Sequence, residues 1–216
     1  MSDPAEAQAR LAAAIVAVGE AAGDRNFAPL RVAYQERLAA ERDVARLSGR
    51  QYAERIDLGA RLDPGAPLPP VLSDSLNTLV IFYLDKPDPA WDGTTATIVD
   101  PAAPAPASLG MVHFTGVYLT KFGGLNDEAI AGHPLHGHGL EQYEAHVVHN
   151  SEWIAEAEQA NSVHPNHRPG WSERYQHFVI CFHDETFECI AEGWRAQELV
   201  TTVSEALRVA ATRILG

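Results

Sequence analysis

The sequence predicts an α+β fold in which an N-terminal helical hairpin packs on a largely antiparallel sheet of about six strands. Helical spacing of apolar residues occurs at the two ends of the chain, whereas the middle contains apolar runs of strand length. These runs follow one another without the long helical crossovers that parallel pairing requires. We therefore expect one α+β domain over 1–216, with a helical hairpin at 1–62 and a sheet-containing body at 71–216.

The N-terminal hairpin has its own start and stop signals. Asp3 precedes Pro4, which is the pattern of an N-cap followed by a first-turn proline. Gly23 suits the end of this first helix, and a second helix is expected over 27–47. The stretch 63–70 is too rich in proline to be a helix or a central strand, so it marks the passage to the sheet.

Six segments have the composition of strands, and the first is a continuous apolar run typical of a strand covered on both faces. They lie at 78–84, 95–99, 111–120, 143–149, 175–184 and 185–192. Asn150 and Ser151 cap a short helix that is expected at about 152–160. An amphipathic helix over 199–214 closes the chain.

Negative charge and histidine are concentrated in the body. The 216 residues carry a net charge of −13, and residues 1–70 contribute only −1 because nine arginines offset ten acidic residues. The body therefore holds −12 and all ten histidines. Such a surface disfavours nucleic acid and anionic membrane as partners, since both require clustered Lys and Arg.

Cysteine usage and hydropathy set the expected compartment. Cys181 and Cys189 are the two cysteines, too few for a disulfide framework, which favours a reducing, cytoplasmic location. No apolar run approaches the ~20 residues of a membrane span. The motifs Gly-x-Ser-x-Gly, His-Glu-x-x-His and Gly-x-Gly-x-x-Gly do not occur, so three large enzyme classes lose their usual signature.

The strand pair 175–192 carries the first group of candidate site residues. One face of its first strand is apolar, and the alternate face holds His177, Cys181 and His183. An even loop keeps Glu188 on that second face, and a two-residue turn would put it opposite Cys181. We predict that His183 and Glu188 form a catalytic acid-base pair, with His177 as a further catalytic candidate, because imidazole titrates near neutral pH.

The segment 121–140 carries the second group. It has five glycines and little apolar periodicity, which is typical of a functional loop. His133, His136 and His138 are close enough in sequence to bind a metal, and a divalent metal is the cofactor they would hold. The candidate substrate-binding residues are Asn126, Asp127, Glu128, His133 and Cys181.

These observations predict a protein that binds a small molecule in a cavity lined by the 175–192 strand pair and the 121–140 loop. It would be an enzyme if the His/Glu pair or a histidine-bound metal acts there. The alternatives are a non-catalytic acidic module that docks a basic partner and a purely structural fold. The ligand, the reaction type and the oligomeric state stay open at this point.

Overall fold

The computed structural model describes residues 3–23, 25, 27–66, 69–86 and 99–215. Within these ranges it contains four α-helices and two antiparallel sheets, of five and four strands, so the predicted α+β class is confirmed. The N-terminal helical pair and the C-terminal helix are also present. The strand expected at 95–99 falls, apart from Val99, outside the described residues.

Two helices form the N-terminal hairpin and two more lie in the body. They are α1 Pro4–Ala21, α2 Phe27–Leu47, α3 Glu152–Asn161 and α4 Val203–Leu215. The side chain of Asp3 caps α1 by accepting a hydrogen bond from Ala5 N at 3.3 Å. Ser151 caps α3, its Oγ accepting from Ile154 N at 3.1 Å. Both predicted caps therefore fix where a helix begins.

Nine strands in the described part of the chain form the two sheets. In chain order they are β1 Tyr52–Arg55, β2 Val71–Ser73, β3 Asn77–Tyr83, β4 Ala107–Thr115, β5 Leu119–Gly123, β6 Ala145–His149, β7 Gln176–Cys181, β8 Thr186–Ala191 and β9 Gly193–Thr201. The first sheet has the order β1-β6-β7-β8-β5, and the second has the order β2-β3-β4-β9. Neighbouring strands are antiparallel in both.

The division into two sheets corrects the prediction of one sheet, and a glycine accounts for part of the difference. Gly116 has a φ of 61° and lies in the middle of the segment 111–120 that was expected to be one strand. The chain turns there, so β4 joins the second sheet and β5 joins the first. β5 also takes the first three residues of the predicted loop 121–140.

The other unpredicted strands were hidden by their length or by their neighbours. β1 and β2 have four and three residues, too few to show a clear alternation of polar and apolar side chains. β9 overlaps the helix predicted at 199–214, because Leu199 fits both a strand and a helical stripe. The closing helix begins at Val203.

The two sheets pack against each other through aromatic and aliphatic side chains. The ring centroid of Phe114 on β4 lies 5.3 Å from that of Phe178 on β7 and 5.4 Å from that of Phe187 on β8. All three rings are fully buried, and each contributes roughly 1.5–3 kcal/mol of hydrophobic stabilisation. The outer face of the second sheet packs on α4, whereas the outer face of the first sheet packs on Leu135 and Leu140.

Residues 130–140, which carry Leu135 and Leu140, cover the outer face of the first sheet and are named the covering segment. The β7–β8 hairpin determines which side chains face this segment. Its loop has four residues, 182–185, so the predicted even length and the predicted division of faces are confirmed. The pairing of Cys181 with Glu188, expected only for a two-residue turn, does not occur, because Cys181 lies opposite Thr186 and Glu188 lies opposite Val179. A two-residue turn needs residues that favour positive φ, and the acidic residues at this turn do not.

His146 on β6 is fully buried on the same outer face. Its Nε2 accepts a hydrogen bond from Glu141 N at 3.2 Å, whereas its Nδ1 has no hydrogen-bond partner among the described residues. Burial lowers the pKa of His146 to about 3, because the charged imidazolium would be far from water. The folded chain therefore resists protonation at a site that takes a proton near pH 6.5 when the chain is unfolded.

We predict that His146 makes folding stability fall as the pH falls from about 6.5 towards 3. In that window the unfolded state binds the extra proton, which removes about 1.4 kcal/mol of unfolding free energy per pH unit. The variant His146→Gln keeps an acceptor for Glu141 N. Its unfolding free energy should change less steeply with pH in this window, by about 1.4 kcal/mol per pH unit. Urea unfolding at several pH values measures the slope. His136→Gln is the matched control, and equal slopes for both variants would contradict the prediction.

Candidate functional site

Three polar side chains meet on the outer face of the first sheet. Lys121 on β5 lies directly opposite Glu188 on β8, and Glu188 lies opposite Val179 on β7. His177 is two residues from Val179, so it points to the same side of the sheet. The register of three neighbouring strands therefore brings Lys121, Glu188 and His177 together.

His177 and Glu188 form the central contact of the site. His177 Nε2 lies 2.9 Å from Glu188 Oε2, and His177 Nδ1 lies 2.9 Å from Ser151 Oγ. Ser151 Oγ already accepts the Ile154 N–H, so its own hydrogen is free to donate to Nδ1. The proton of the neutral imidazole then lies on Nε2 and is donated to Glu188.

The pKa values of His177 and Glu188 are both lowered, which favours a neutral imidazole and an ionised carboxylate. Burial is the main cause that lowers the pKa of His177, and the nearby Glu188 offsets it only in part. Burial alone would raise the pKa of Glu188, but the neighbouring imidazoles of His133 and His177 and the ammonium of Lys121 outweigh it, and the pKa is held well below its usual range. A neutral His177 thus faces an ionised Glu188 at neutral pH.

His133 comes from the covering segment and approaches Glu188 from the other side. Its Nδ1 accepts a hydrogen bond from Leu135 N at 3.1 Å, so its ring proton must lie on Nε2. The side chain is only 5% exposed, and Nε2 has no hydrogen-bond partner in the part of the chain that the structure describes. Nε2 lies 3.7 Å from Glu188 Oε1, which is too far for a hydrogen bond.

A cavity of about 130 Å³ opens beside this arrangement. The buried His133 and His177 line it together with Glu188 and Lys121. Gln51, Pro134 and Leu135 also line it, and α3 contributes an aromatic ring and two exposed acids, as described next.

α3 presents Trp153, Glu152 and Glu156 to the cavity. The Trp153 ring meets the His177 ring edge-on at 5.1 Å, and Lys121 Nζ lies 3.8 Å from the centroid of Trp153. This cation-π contact holds the ammonium over the aromatic face. Glu152 and Glu156 are exposed, and four residues apart they share one side of the helix.

The predicted pairing of His183 with Glu188 is wrong. His183 Nδ1 lies 3.0 Å from Asp127 Oδ2, and 43% of the His183 side chain is exposed. Asp127 also accepts a hydrogen bond from the Tyr143 hydroxyl. His183 belongs to the turn after β7, where the alternation of strand faces has ended, so extrapolating that alternation misplaced it.

Of the predicted substrate-binding residues, His133 lines the cavity and the others have different surroundings. Asn126 Oδ1 accepts from Ala129 N at 3.0 Å and so stabilises a local turn, and Glu128 is exposed. Asp127 is held by His183 and Tyr143, as described above. Cys181 packs in an apolar cluster, where burial raises its pKa to about 12.

The three histidines predicted to bind a metal do not converge. His133 faces Glu188, His136 is exposed, and His138 Nε2 lies 3.2 Å from Arg50 Nη1. Among the described residues, no group of three or more His, Cys, Asp or Glu side chains is arranged to hold a metal ion. The short spacing of these histidines in sequence misled the prediction, because successive tight turns separate them.

Sequence reasoning did not single out five polar or aromatic residues that line the cavity. They are Gln51, Lys121, Glu152, Trp153 and Glu156. The cross-strand partner of Glu188 could have been found only from the β5–β8 register, and β5 itself was not predicted. The start of α3 was predicted from its cap, but the sequence of the helix does not indicate which strands it packs on.

Comparisons with known proteins do not indicate a function for the site. No family model, curated protein or solved structure matches this chain. In the described ranges, none of the helices combines the length and the apolar character that crossing a membrane requires.

Ser151 should stabilise the fold through both of its hydrogen bonds. We predict that Ser151→Ala lowers the unfolding free energy by about 1–3 kcal/mol, because it removes a helix cap and leaves a buried imidazole nitrogen unpaired. Ser162→Ala is a matched control at the other end of α3, where the hydroxyl bonds an exposed carbonyl, and it should change stability by roughly 0.5 kcal/mol or less. Chemical denaturation measures both. Equal effects would contradict the assignment, and so would an NMR spectrum showing the Nδ1–H tautomer of His177.

Proposed function

We propose that this protein binds a small polar molecule in the cavity between the first sheet, the covering segment and α3. The observation that carries the proposal is the buried His133 Nε2–H, which points towards Glu188 Oε1 across 3.7 Å and has no partner among the described side chains and backbone. Leaving a buried donor unpaired costs about 1–3 kcal/mol. Unpaired buried donors are rare, and a ligand atom in the cavity that lies within hydrogen-bond distance of both groups satisfies the donor and the carboxylate together.

The protonation states favour binding over proton transfer. A general base works best with a pKa near the working pH, and the lowered pKa of Glu188 makes it a weak base. Both ring nitrogens of His177 already have partners. Glu188 therefore serves as a fixed anionic acceptor, and His177 serves to hold it in place.

The partner class follows from the same features. The cavity admits a small molecule, and its carboxylates disfavour the phosphate groups of nucleic acid and anionic lipid. We accordingly propose a small-molecule-binding protein of the α+β class, with the ligand in a cavity lined by side chains from three strands, one loop and one helix.

A screen of small polar fragments tests this proposal. We predict that at least one fragment binds the unmodified chain and perturbs the ring signals of His133 and His177 in NMR spectra. Glu188→Gln removes the anionic acceptor with little change in size, and it should weaken that binding about tenfold or more.

Glu20→Gln is the control, because it makes the same change of charge at an exposed position on α1. It should leave fragment binding unchanged. The proposal fails if no fragment perturbs the two histidines, or if Glu188→Gln and Glu20→Gln bind every fragment alike.

A further inference from the structure

We infer that the cavity takes a small amino alcohol, with the hydroxyl between His133 and Glu188 and the ammonium beside the acids of α3. This inference rests on the proposed binding function and names the chemical class of its ligand. Two independent features of the cavity support it: the donor and acceptor that meet at its inner end, and the charges on its walls.

The inner end of the cavity matches a hydroxyl group. A ligand atom beside His133 Nε2 and Glu188 Oε1, within hydrogen-bond distance of both, must accept a hydrogen bond from the imidazole N–H and donate one to the carboxylate. A hydroxyl has both a lone pair and a hydrogen, so it can satisfy both groups at once. A carbonyl or ether lacks the hydrogen, and an ammonium lacks the lone pair.

The charges on the walls favour a cation at the outer end. Glu188, Glu152 and Glu156 bring three carboxylates to the cavity, and Lys121 brings one ammonium. That ammonium already lies over the Trp153 ring, and Lys121 stands opposite Glu188 in the strand register. The two acids of α3 are then left to attract a positively charged group, and an anionic ligand would be repelled.

The volume restricts the size of the ligand. A cavity of about 150 Å³ accommodates a benzene molecule, so a cavity of about 130 Å³ admits a compound of roughly five non-hydrogen atoms. A two-carbon or three-carbon amino alcohol fits that limit. A nucleotide or a hexose does not enter completely.

A metal ion is a poorer match for the same residues. To coordinate through Nε2, His133 would need its proton on Nδ1, and Nδ1 is occupied by the hydrogen bond from Leu135 N. The hydrogen-bonding pattern thus assigns His133 as a donor to the ligand.

Four probes of similar size test the inference by NMR titration at concentrations on the order of tens of millimolar, a range suited to very small ligands. They are ethanolamine, ethylene glycol, n-propylamine and glycolate. Ethanolamine has both groups, ethylene glycol lacks the charge, n-propylamine replaces the hydroxyl with a methyl group, and glycolate reverses the charge. We expect ethanolamine to bind most tightly, and n-propylamine and glycolate to bind about tenfold more weakly or worse.

Two variants separate the roles of the two ends. Glu156→Gln should weaken ethanolamine binding several-fold and leave ethylene glycol unchanged, because only the first probe has a charge for Glu156 to attract. Glu188→Gln should weaken both probes. Glu20→Gln again serves as the control for net charge and should affect neither. Glu156 is exposed, so its substitution leaves the folded chain available for measurement.

The outcomes distinguish this inference from the proposed function. Equal binding of ethanolamine and n-propylamine would overturn the hydroxyl assignment, and equal or tighter binding of glycolate would overturn the charge assignment. If none of the four probes shifts His133 or His177 while other fragments do, the amino alcohol inference is wrong and small-molecule binding stands. If no fragment of any kind shifts them, both are wrong.

Discussion

A carboxylate placed on the covered face of a sheet is the constraint on which the site depends. Only 14% of the Glu188 side chain is exposed, and a charge in such a position must be compensated by nearby donors or cations. His177 donates to it directly, and Lys121 lies across the strand from it. The requirement extends one residue further, because donation from Nε2 leaves Nδ1 as a buried acceptor, and Ser151 satisfies it.

The features that could be predicted from the sequence are those that local patterns determine. The helix caps at Asp3 and Ser151 and the two faces of the β7–β8 hairpin follow from residue types at fixed spacings, and the structure has them. The expected involvement of Glu188 and His177 in one polar face rests on the same alternation. Their arrangement as a pair depends on a register shifted by two residues, which the poor turn residues left undetermined.

The features that could not be predicted depend on contacts between distant parts of the chain. Whether His133 reaches Glu188 depends on how segment 121–140 folds back over the sheet, and glycine-rich sequence gives little information about that path. The path of this segment depends on its contacts with α2. The N–H of Gly139 donates to the buried Glu41 of α2, and a Cβ at position 139 would lie 2.3 Å from Arg42 Cγ. A helix near the N-terminus thus helps to position a loop more than ninety residues later.

The hydroxyl of Ser151 couples the position of α3 to that of the His177 side chain. It ties the first turn of α3 to the imidazole of His177, and the same helix carries Trp153, Glu152 and Glu156. A rigid helix moves as a body, so a shift at its far end would change the indole, the acids and the imidazole together. Substitutions near Asn161, well outside the cavity, would then alter ligand affinity without touching the ligand.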